Sequence, residues 1–425
     1  MNYKEFFNKA KEKGLTNIQI TEKETINSEA GVLDGELEDF NISNDTEYHI
    51  KAEYNNKTVK LFTNYLDQDI IDLIIFKSNS TDSKYDDEYL TKTDSIKKNN
   101  PVNIDISDKV KILKELDTLR KENKKIDKLS TYYTEEWKNT RIINSNGVNI
   151  STDIHFSMFG VSAISHNKLG PITFDRNILE IGRKEIDFEG VTKDVIDKTI
   201  IQAKREKLIN KKYDVIIDNS IAGKIISHLI GMLSSSNVRV KVSCLGDKLD
   251  KKVFNDKLTI VEEPMNRKYP GYRLFDDEGT KTIDKTIIDK GKIKTFFYNI
   301  QEAKIKNTKS TGNGYGEIST RNMYVKPGKK SIEELLKDLD NGIYITDYMG
   351  SQGSAINHTN GQISIQVFGF IVKNGKIEKG FVPAIMTTTI FELLSNIKEI
   401  GNDLVFTNTS SAAPSLYIKD ISIAS

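Results

Sequence analysis

Four short turn signals lie between stretches of alternating apolar residues, and together they constrain this chain to antiparallel sheet. Asn55-Asn56 separates EYHIKAEY from KTVKLFT, and Asn146-Gly147 separates TYYTEEWKNTRII from VNISTDIHFSMFGVSAIS. Asp289 to Lys292 makes a lysine-flanked turn, and Asn374-Gly375 sits inside QISIQVFGFIVKNGKIEKGFV. Two-residue turns of this kind tolerate the positive φ that a tight hairpin requires, whereas parallel neighbours need a crossover of about a dozen residues.

Helical periodicity fills the gaps. Tyr3, Phe6, Phe7 and Ala10 share one helical face that Gly14 stops, and a helix is expected over 68–77. Val110, Leu113, Leu116 and Leu119 form one stripe of a helix over 109–125, and a further helix is expected over 192–208. Ser331 with Glu334 makes a capping box ahead of Leu335 and Leu336, Gly342 stops that helix before the strand IYIT, and 390–400 reads as a helix stopped by Gly401. Tyr213 to Ile217 and SLYIKDISI read as strands. The expected class is α+β, mainly antiparallel sheets with packed helices. Residues 1–100 form a first α+β segment, 101–210 a second that completes the N-terminal domain, and 211–425 a β-rich C-terminal domain. The first boundary falls in the polar stretch 78–100.

Composition narrows the function classes. A chain of 425 residues is long enough for two or three cores, and its 62 Lys plus Arg against 61 Asp plus Glu leave no net field to hold a polyanion, so direct nucleic-acid binding is disfavoured. One cysteine, Cys244, excludes an internal disulfide and a zinc site of several thiolates and fits a reducing compartment. The N-terminal stretch lacks the continuous apolar run of a signal peptide, and no run approaches the ~18 apolar residues of a membrane span. A cytoplasmic protein without membrane partners is expected.

Between Gly271 and Asn322 three irregular signals follow in order: the acidic turn Asp276, Asp277, Glu278, Gly279; the hairpin turn at Asp289; and the glycine-rich loop Thr311, Gly312, Asn313, Gly314. Core packing does not require such a stretch. Grouped carboxylates repel unless a cation or a peptide amine is near, and glycines let backbone approach a ligand closely. The loop lacks the Gly-Lys-Ser/Thr ending of a P-loop, so backbone groups lining a peptide groove are the better reading than nucleotide binding. The alternative for the acids is a solvated turn closed by Gly279. His358 lies in another Gly-rich stretch and is a further candidate for a cleft, with a simple turn residue as the alternative. Tyr272, Phe296, Phe297 and Tyr298 read as core aromatics before they read as peptide contacts.

The order of these signals resembles the TldD/PmbA family, peptidase-related proteins once called modulators of DNA gyrase. The resemblance runs from Arg141–Gly147 through Asn341–Tyr344, Gly350, Gly353, Asn357–Gly361, Lys373–Lys376 and Ile400–Leu404. In the family's catalytic branch a helix carries His-Glu-x-x-x-His, two imidazoles for zinc and a glutamate for water. The corresponding helix here is Ser220 to Gly231. A gapless register puts Ile226, Ser227 and Gly231 in the three places; a shift of three puts Gly223, Lys224 and His228 there. The resemblance also implies a cysteine ligand after Leu404, where this chain has Thr407 to Pro414 without one. It therefore implies the PmbA branch, also called TldE: a non-catalytic subunit in a homodimer, or in a heterodimer with a TldD-like zinc subunit, acting on unfolded peptides. Zinc is expected only in the partner, with no cofactor in this chain. The rival readings are a homodimeric binding scaffold without a peptidase partner and a regulator of DNA gyrase or its toxins. His228 reads as a packed histidine and Cys244 as a packed or partly exposed loop residue, while His49, His155 and His166 carry no metal spacing.

Overall fold

The structure, a computed structural model, describes residues 1–81, 95–168, 170–349 and 356–425. Most of the polar stretch 78–100, and both Gly350 and Gly353, lie outside the described residues.

Helix α1 (Tyr3–Glu12) is capped by Asn2, buries Phe6 and Ala10, and ends before Gly14, whose φ is 86°. Strands β1 (Thr16–Leu33) and β2 (Glu36–Tyr54) follow, joined at Asp34-Gly35, where both residues have positive φ. The polar residues from Thr25 to Thr46 do not interrupt these strands, because most of them pair across the ladder. Next come β3 (Lys57–Thr63), α2 (Gln68–Ser78), α3 (Ser107–Glu115) and α4 (Asp117–Glu122). The single helix expected over 109–125 breaks at Leu116, which serves as C-cap of one piece and N-cap of the other. Strands β4 (Lys128–Asn144), β5 (Asn149–Asn167) and β6 (Gly170–Ile181) precede α5 (Phe188–Gln202), which starts earlier than periodicity suggested because Asp187 caps it, and which ends earlier, at Gln202. The sheet order is β3-β2-β1-β4-β5-β6, antiparallel throughout.

The second half opens with β7 (Lys211–Ile217), α6 (Asn219–Leu233), α7 (Ser235–Arg239) and β8 (Ile260–Glu262). Then come β9 (Lys285–Asp289), β10 (Lys292–Ile293), α8 (Ile300–Ile305), β11 (Gly314–Tyr315), β12 (Glu317–Ile318) and β13 (Met323–Val325). Helix α9 (Ile332–Leu339) carries the expected capping box and leads into β14 (Gly342–Met349). The chain ends with β15 (Gln362–Lys373), β16 (Lys376–Gly380), β17 (Ala384–Thr389), α10 (Ile390–Ser395), β18 (Ile397–Ile400), β19 (Ser411–Ala412) and β20 (Leu416–Ala424). The helix expected over 390–400 is thus cut short. Ile397 and Ile400 pair with Ile418 and Leu416 of β20, which buries both isoleucines, and that gain outweighs helical propensity.

One sheet has the order β14-β7-β20-β17-β15-β16, and β14 also pairs with β15, so five strands close on themselves. The ring gives each of its strands a neighbour on both sides over part of its length and wraps a core that includes Val215, Ile217, Ile345, Ile365 and Met386. A second core joins the two halves: Tyr133, Phe159 and Phe174 of the first sheet pack with Tyr344, Phe370 and Tyr417 of the barrel. The mainly antiparallel α+β class is as expected; β7 with β14 and β13 with β19 are the parallel pairs. No helix among the described residues is long and apolar enough to cross a membrane.

Candidate functional site

The acidic turn and the glycine-rich loop meet. The Asp276 carboxylate is fully buried and accepts hydrogen bonds from the Glu278 and Thr280 N–H groups at 3.0 and 2.8 Å and from the Gly314 N–H at 2.9 Å. Burial, with the Glu278 carboxylate beside it, pushes Asp276 up to about 8. Glu278 accepts from the Ile300 N–H at 2.8 Å. A Cβ at position 314 would lie 2.3 Å from Glu278 Oε2, so only glycine permits this approach. Asn313 is equally buried: its amide donates to both oxygens of Glu262, at 2.9 and 3.2 Å, and to the Ser319 carbonyl, while the Thr311 hydroxyl donates to its Oδ1. Lys285 closes the network with a 2.7 Å ion pair to Glu262.

Asp277 faces a different way. It pairs with Lys23 of β1 at 3.0 Å and Arg273 at 2.8 Å, and although burial alone would raise it, these cations hold it down at about 2. At Gly314 the missing side chain makes room for the protein's own Glu278. Asp276 is neither a solvated turn residue nor free to bind a cation.

His358 belongs to another group. Its Nε2 lies 3.1 Å from Nδ1 of His228 on α6, and its ring fills the space over Gly231, where a Cβ would meet Cε1 at 2.5 Å. Burial, with His358 alongside, pushes His228 down to about 4. The Cys244 N–H donates to the His358 carbonyl at 2.8 Å, and burial raises the Cys244 thiol.

The face of α6 that the resemblance marks for zinc does not fit that metal in this chain. Ile226 is fully buried in the barrel core. A Cβ at Gly223 would sit 3.0 Å from Ala412 Cα, because the C-terminal segment packs directly on the helix there, and the Ser411 hydroxyl donates to the Gly223 carbonyl. Among the described residues no three His, Cys, Asp or Glu groups converge as metal donors.

What α6 does line is a cleft of about 450 Å³. Its floor is Ser220, Ile221 and Lys224; β6 supplies Asp175 and Arg176, and β14 supplies Thr346, Asp347 and Met349. Pairing of β14 with β7 ends at Ile345, whereas pairing with β15 continues to Met349. Among the described residues, Thr346–Met349 therefore has one edge without a strand partner. Asp218 caps α6 beneath the cleft, accepting from the Ser220 N–H at 2.9 Å, from the Tyr344 hydroxyl, and from Arg176 at 2.7 Å. Arg205 Nε and Thr346 Oγ1 are buried here without partners, and Lys224 is exposed and makes no ion pair among the described residues. Sequence reasoning missed Arg176, Arg205, Lys224 and Asp347. The only signal was a pair of charges, Asp175-Arg176, inside the otherwise alternating run ITFDRNILEI.

The sequence model of the PmbA/TldA metallopeptidase C-terminal domain matches residues 210–425, over half of the chain, and that of the PmbA/TldA metallopeptidase central domain matches residues 99–203. This chain belongs to the PmbA/TldD family. It is 28% identical over 288 residues to metalloprotease PmbA of Escherichia coli O157:H7, an alignment that covers 65% of this chain and 62% of that protein, less than two thirds of its length. The crystal structure of a Thermotoga maritima protein named a modulator of a DNA gyrase superposes with a TM-score of 0.89 at 24% identity, over 100% of both chains. TldE from Thermococcus kodakarensis superposes with a TM-score of 0.82 at 17% identity, over 99% of each. At these identities the structural likeness shows the fold.

Proposed function

We propose that this chain is a non-catalytic, PmbA/TldE-like subunit of a TldD/PmbA-type peptidase assembly in the cytoplasm. It holds an extended, unfolded peptide in the cleft over α6 and leaves hydrolysis to the zinc of a TldD-like partner. The observation that carries this reading is the edge of β14 beside α6, where Thr346–Met349 has no strand partner among the described residues: an extended peptide adds to such an edge through its main chain, whatever its side chains, and beside it stand Lys224, which acts on Asp347 only from a distance, and Arg205, which makes no ion pair among the described residues. The non-catalytic half rests on Ile226, Gly223 and the cysteine-free segment Thr407 to Pro414, since water activation needs about three protein ligands and a base. Asp276, Glu278, Asn313 and Gly314 act as the frame of the chamber wall, and Asp277 faces inward.

The test is reconstitution. The purified chain alone binds an unfolded peptide, holds no stoichiometric zinc and does not cleave; adding a zinc-bearing TldD relative produces cleavage that chelators abolish. His228→Ala leaves that cleavage intact, and Met349→Pro, at the exposed end of the open edge, weakens peptide binding. Chelator-sensitive cleavage by this chain alone would overturn the proposal.

A further inference from the structure

A second cavity, of about 370 Å³, lies between the first sheet and the C-terminal half, on the other side of the segment that packs on α6. Thr407 lines the cleft over α6 and Thr409, two residues on, lines this cavity. Its inner wall is made by Lys23, Arg273, Asp277 and Arg321. Three cations thus share one carboxylate, since Asp277 is engaged by both Lys23 and Arg273.

Arg321 has no ion pair among the described residues. Its Nη1 donates only to the neighbouring Thr320 carbonyl at 2.8 Å, and its guanidinium stacks 3.9 Å from the centre of the Tyr315 ring. Arg273 sits 5.5 Å from the same ring, and its buried Nε has no hydrogen-bond partner among the described residues. A guanidinium stays charged at any physiological pH, and although Asp277 and Glu262 act on Arg321 from a distance, burial outweighs them and lowers it, so an anion in direct contact would offset the cost of withdrawing it from water. The acids on the outer wall do not serve. Glu24 is held by Lys98 and Asp153 by Asn99, while Asp45 and Glu47 are exposed at the rim. Tyr315 fixes both guanidinium groups by cation–π contact, leaving free N–H groups whose planar arrangement matches a carboxylate.

We propose that this cavity receives the C-terminal carboxylate of the peptide held in the neighbouring cleft, with Arg321 as its principal donor and Arg273 as the second. This rests on the peptide-binding reading above, and makes the chain a reader of free peptide ends. An acidic side chain offers the same chemistry as a terminus, so the test separates the two.

Isothermal titration compares N-acetyl tetra-alanine as the free acid, the same peptide as the amide, and an amide carrying one internal glutamate. The free acid binds at least tenfold more tightly than either amide, Arg321→Gln removes that difference, and Arg321→Lys, which keeps the charge but loses the fork, retains part of it. Circular dichroism and a melting curve verify that both variants fold. Equal and strong binding of acid and amide overturns the terminal-carboxylate site while leaving the peptide cleft standing. Tighter binding of the glutamate amide than of the free acid assigns the cavity to side chains and likewise overturns it. Free-acid binding that needs Arg321 but is untouched by Met349→Pro keeps this site and sinks the strand-edge reading. No heat from any probe overturns both.

Discussion

Removing Arg176 tests what holds the cleft together. Its guanidinium reaches from β6 to Asp218 Oδ1 at 2.7 Å and Asn219 Oδ1 at 3.3 Å, with the Asp218 side chain only 3% exposed and that of Arg176 19%. Burial alone would raise Asp218, but the Arg176 charge and the hydrogen bonds from Ser220 and Tyr344 outweigh it and hold the carboxyl below its ordinary range. Arg176→Met leaves a buried carboxylate with two donors and no counter-charge. Breaking a buried pair from one side costs about 3–5 kcal/mol, and the two surviving donors argue for the lower end, ~3 kcal/mol. Arg176→Met with Asp218→Asn recovers part of this loss, a coupling of about 1–3 kcal/mol in a double-mutant cycle read by urea denaturation.

The pH dependence supplies a second arm. In the native protein Asp218 is lowered, so its contribution is fully present above the unfolded value of about 3.9 and is lost only as pH falls through the native value below that. Without Arg176 burial dominates and Asp218 is raised, so its contribution is present below about 3.9 and is lost as pH rises through the new value. The deficit of Arg176→Met relative to the native chain therefore grows from pH 4 to pH 7. A cost under ~1 kcal/mol, or a deficit that does not change with pH, would refute the argument that this pair clamps β6 to α6.

Reinstalling the family's helix residues with Gly223→His and Lys224→Glu should destabilise the chain by about 1–3 kcal/mol or more without adding zinc, because the new Cβ meets the Ala412 backbone; a stable, zinc-loaded variant by melting curve and metal analysis contradicts this. Asp276, raised to about 8, contributes stability below about pH 4 that declines as pH rises toward 8, so the advantage of the native chain over Asp276→Asn narrows between pH 5 and pH 8; a constant or widening gap in denaturation midpoints counts against it. His228, lowered to about 4, is neutral when folded, so its contribution is complete above about 6.5 and falls away as pH drops from there toward 4; His228→Leu flattens that slope, and identical acid profiles for the two proteins would be the contrary result.

Local chemistry was legible in the sequence where a turn or cap leaves its own mark. Asn55-Asn56 and Asn374-Gly375 have the positive φ that hairpins demand, and the Ser331 capping box forms as spaced. Asp34-Gly35 carries the same mark, yet the polar composition of β1 and β2 around it hid two strands whose stability comes from cross-strand pairing, not from burial of alternate apolar residues. The end of the 390–400 helix depended on a partner strand more than fifteen residues downstream, which local periodicity does not register. The candidate site divides the same way. The acidic turn and the glycine-rich loop each stand out in the sequence, but that Asp276 and Asn313 spend their hydrogen bonds internally follows from Glu262 and Gly314 arriving from separate segments. Arg176 and Arg321 became visible only once two halves of the chain were in contact, because a single arginine in a strand or loop carries no signature of being unpaired or clamped.

A cleft does not depend on metal donors when its walls are set by other forces. The strands that aim β14 at α6 belong to a ring closed by backbone pairing, and β6 is brought to the same cleft by the shared core of Phe174 and Phe370 and by the Arg176–Asp218 pair. None of these contacts involves Ile226, Ser227 or Gly231, the places that the resemblance assigns to zinc chemistry. Binding geometry and bond cleavage are, on the proposed reading, separable properties of one fold, the first carried by the barrel edge and the second by a few side chains on one helix face. On the proposed reading, a chain freed from holding zinc can close Gly223 onto Ala412, fixing α6 against the C-terminal segment that bears Thr407 and Thr409. Thr407 of that segment lines the cleft and Thr409 lines the Arg321 cavity, so a displaced segment would move one relative to the other. It follows that enlarging Gly223 should weaken recognition of free-acid peptides more than of amides, since it shifts the segment that separates the two sites.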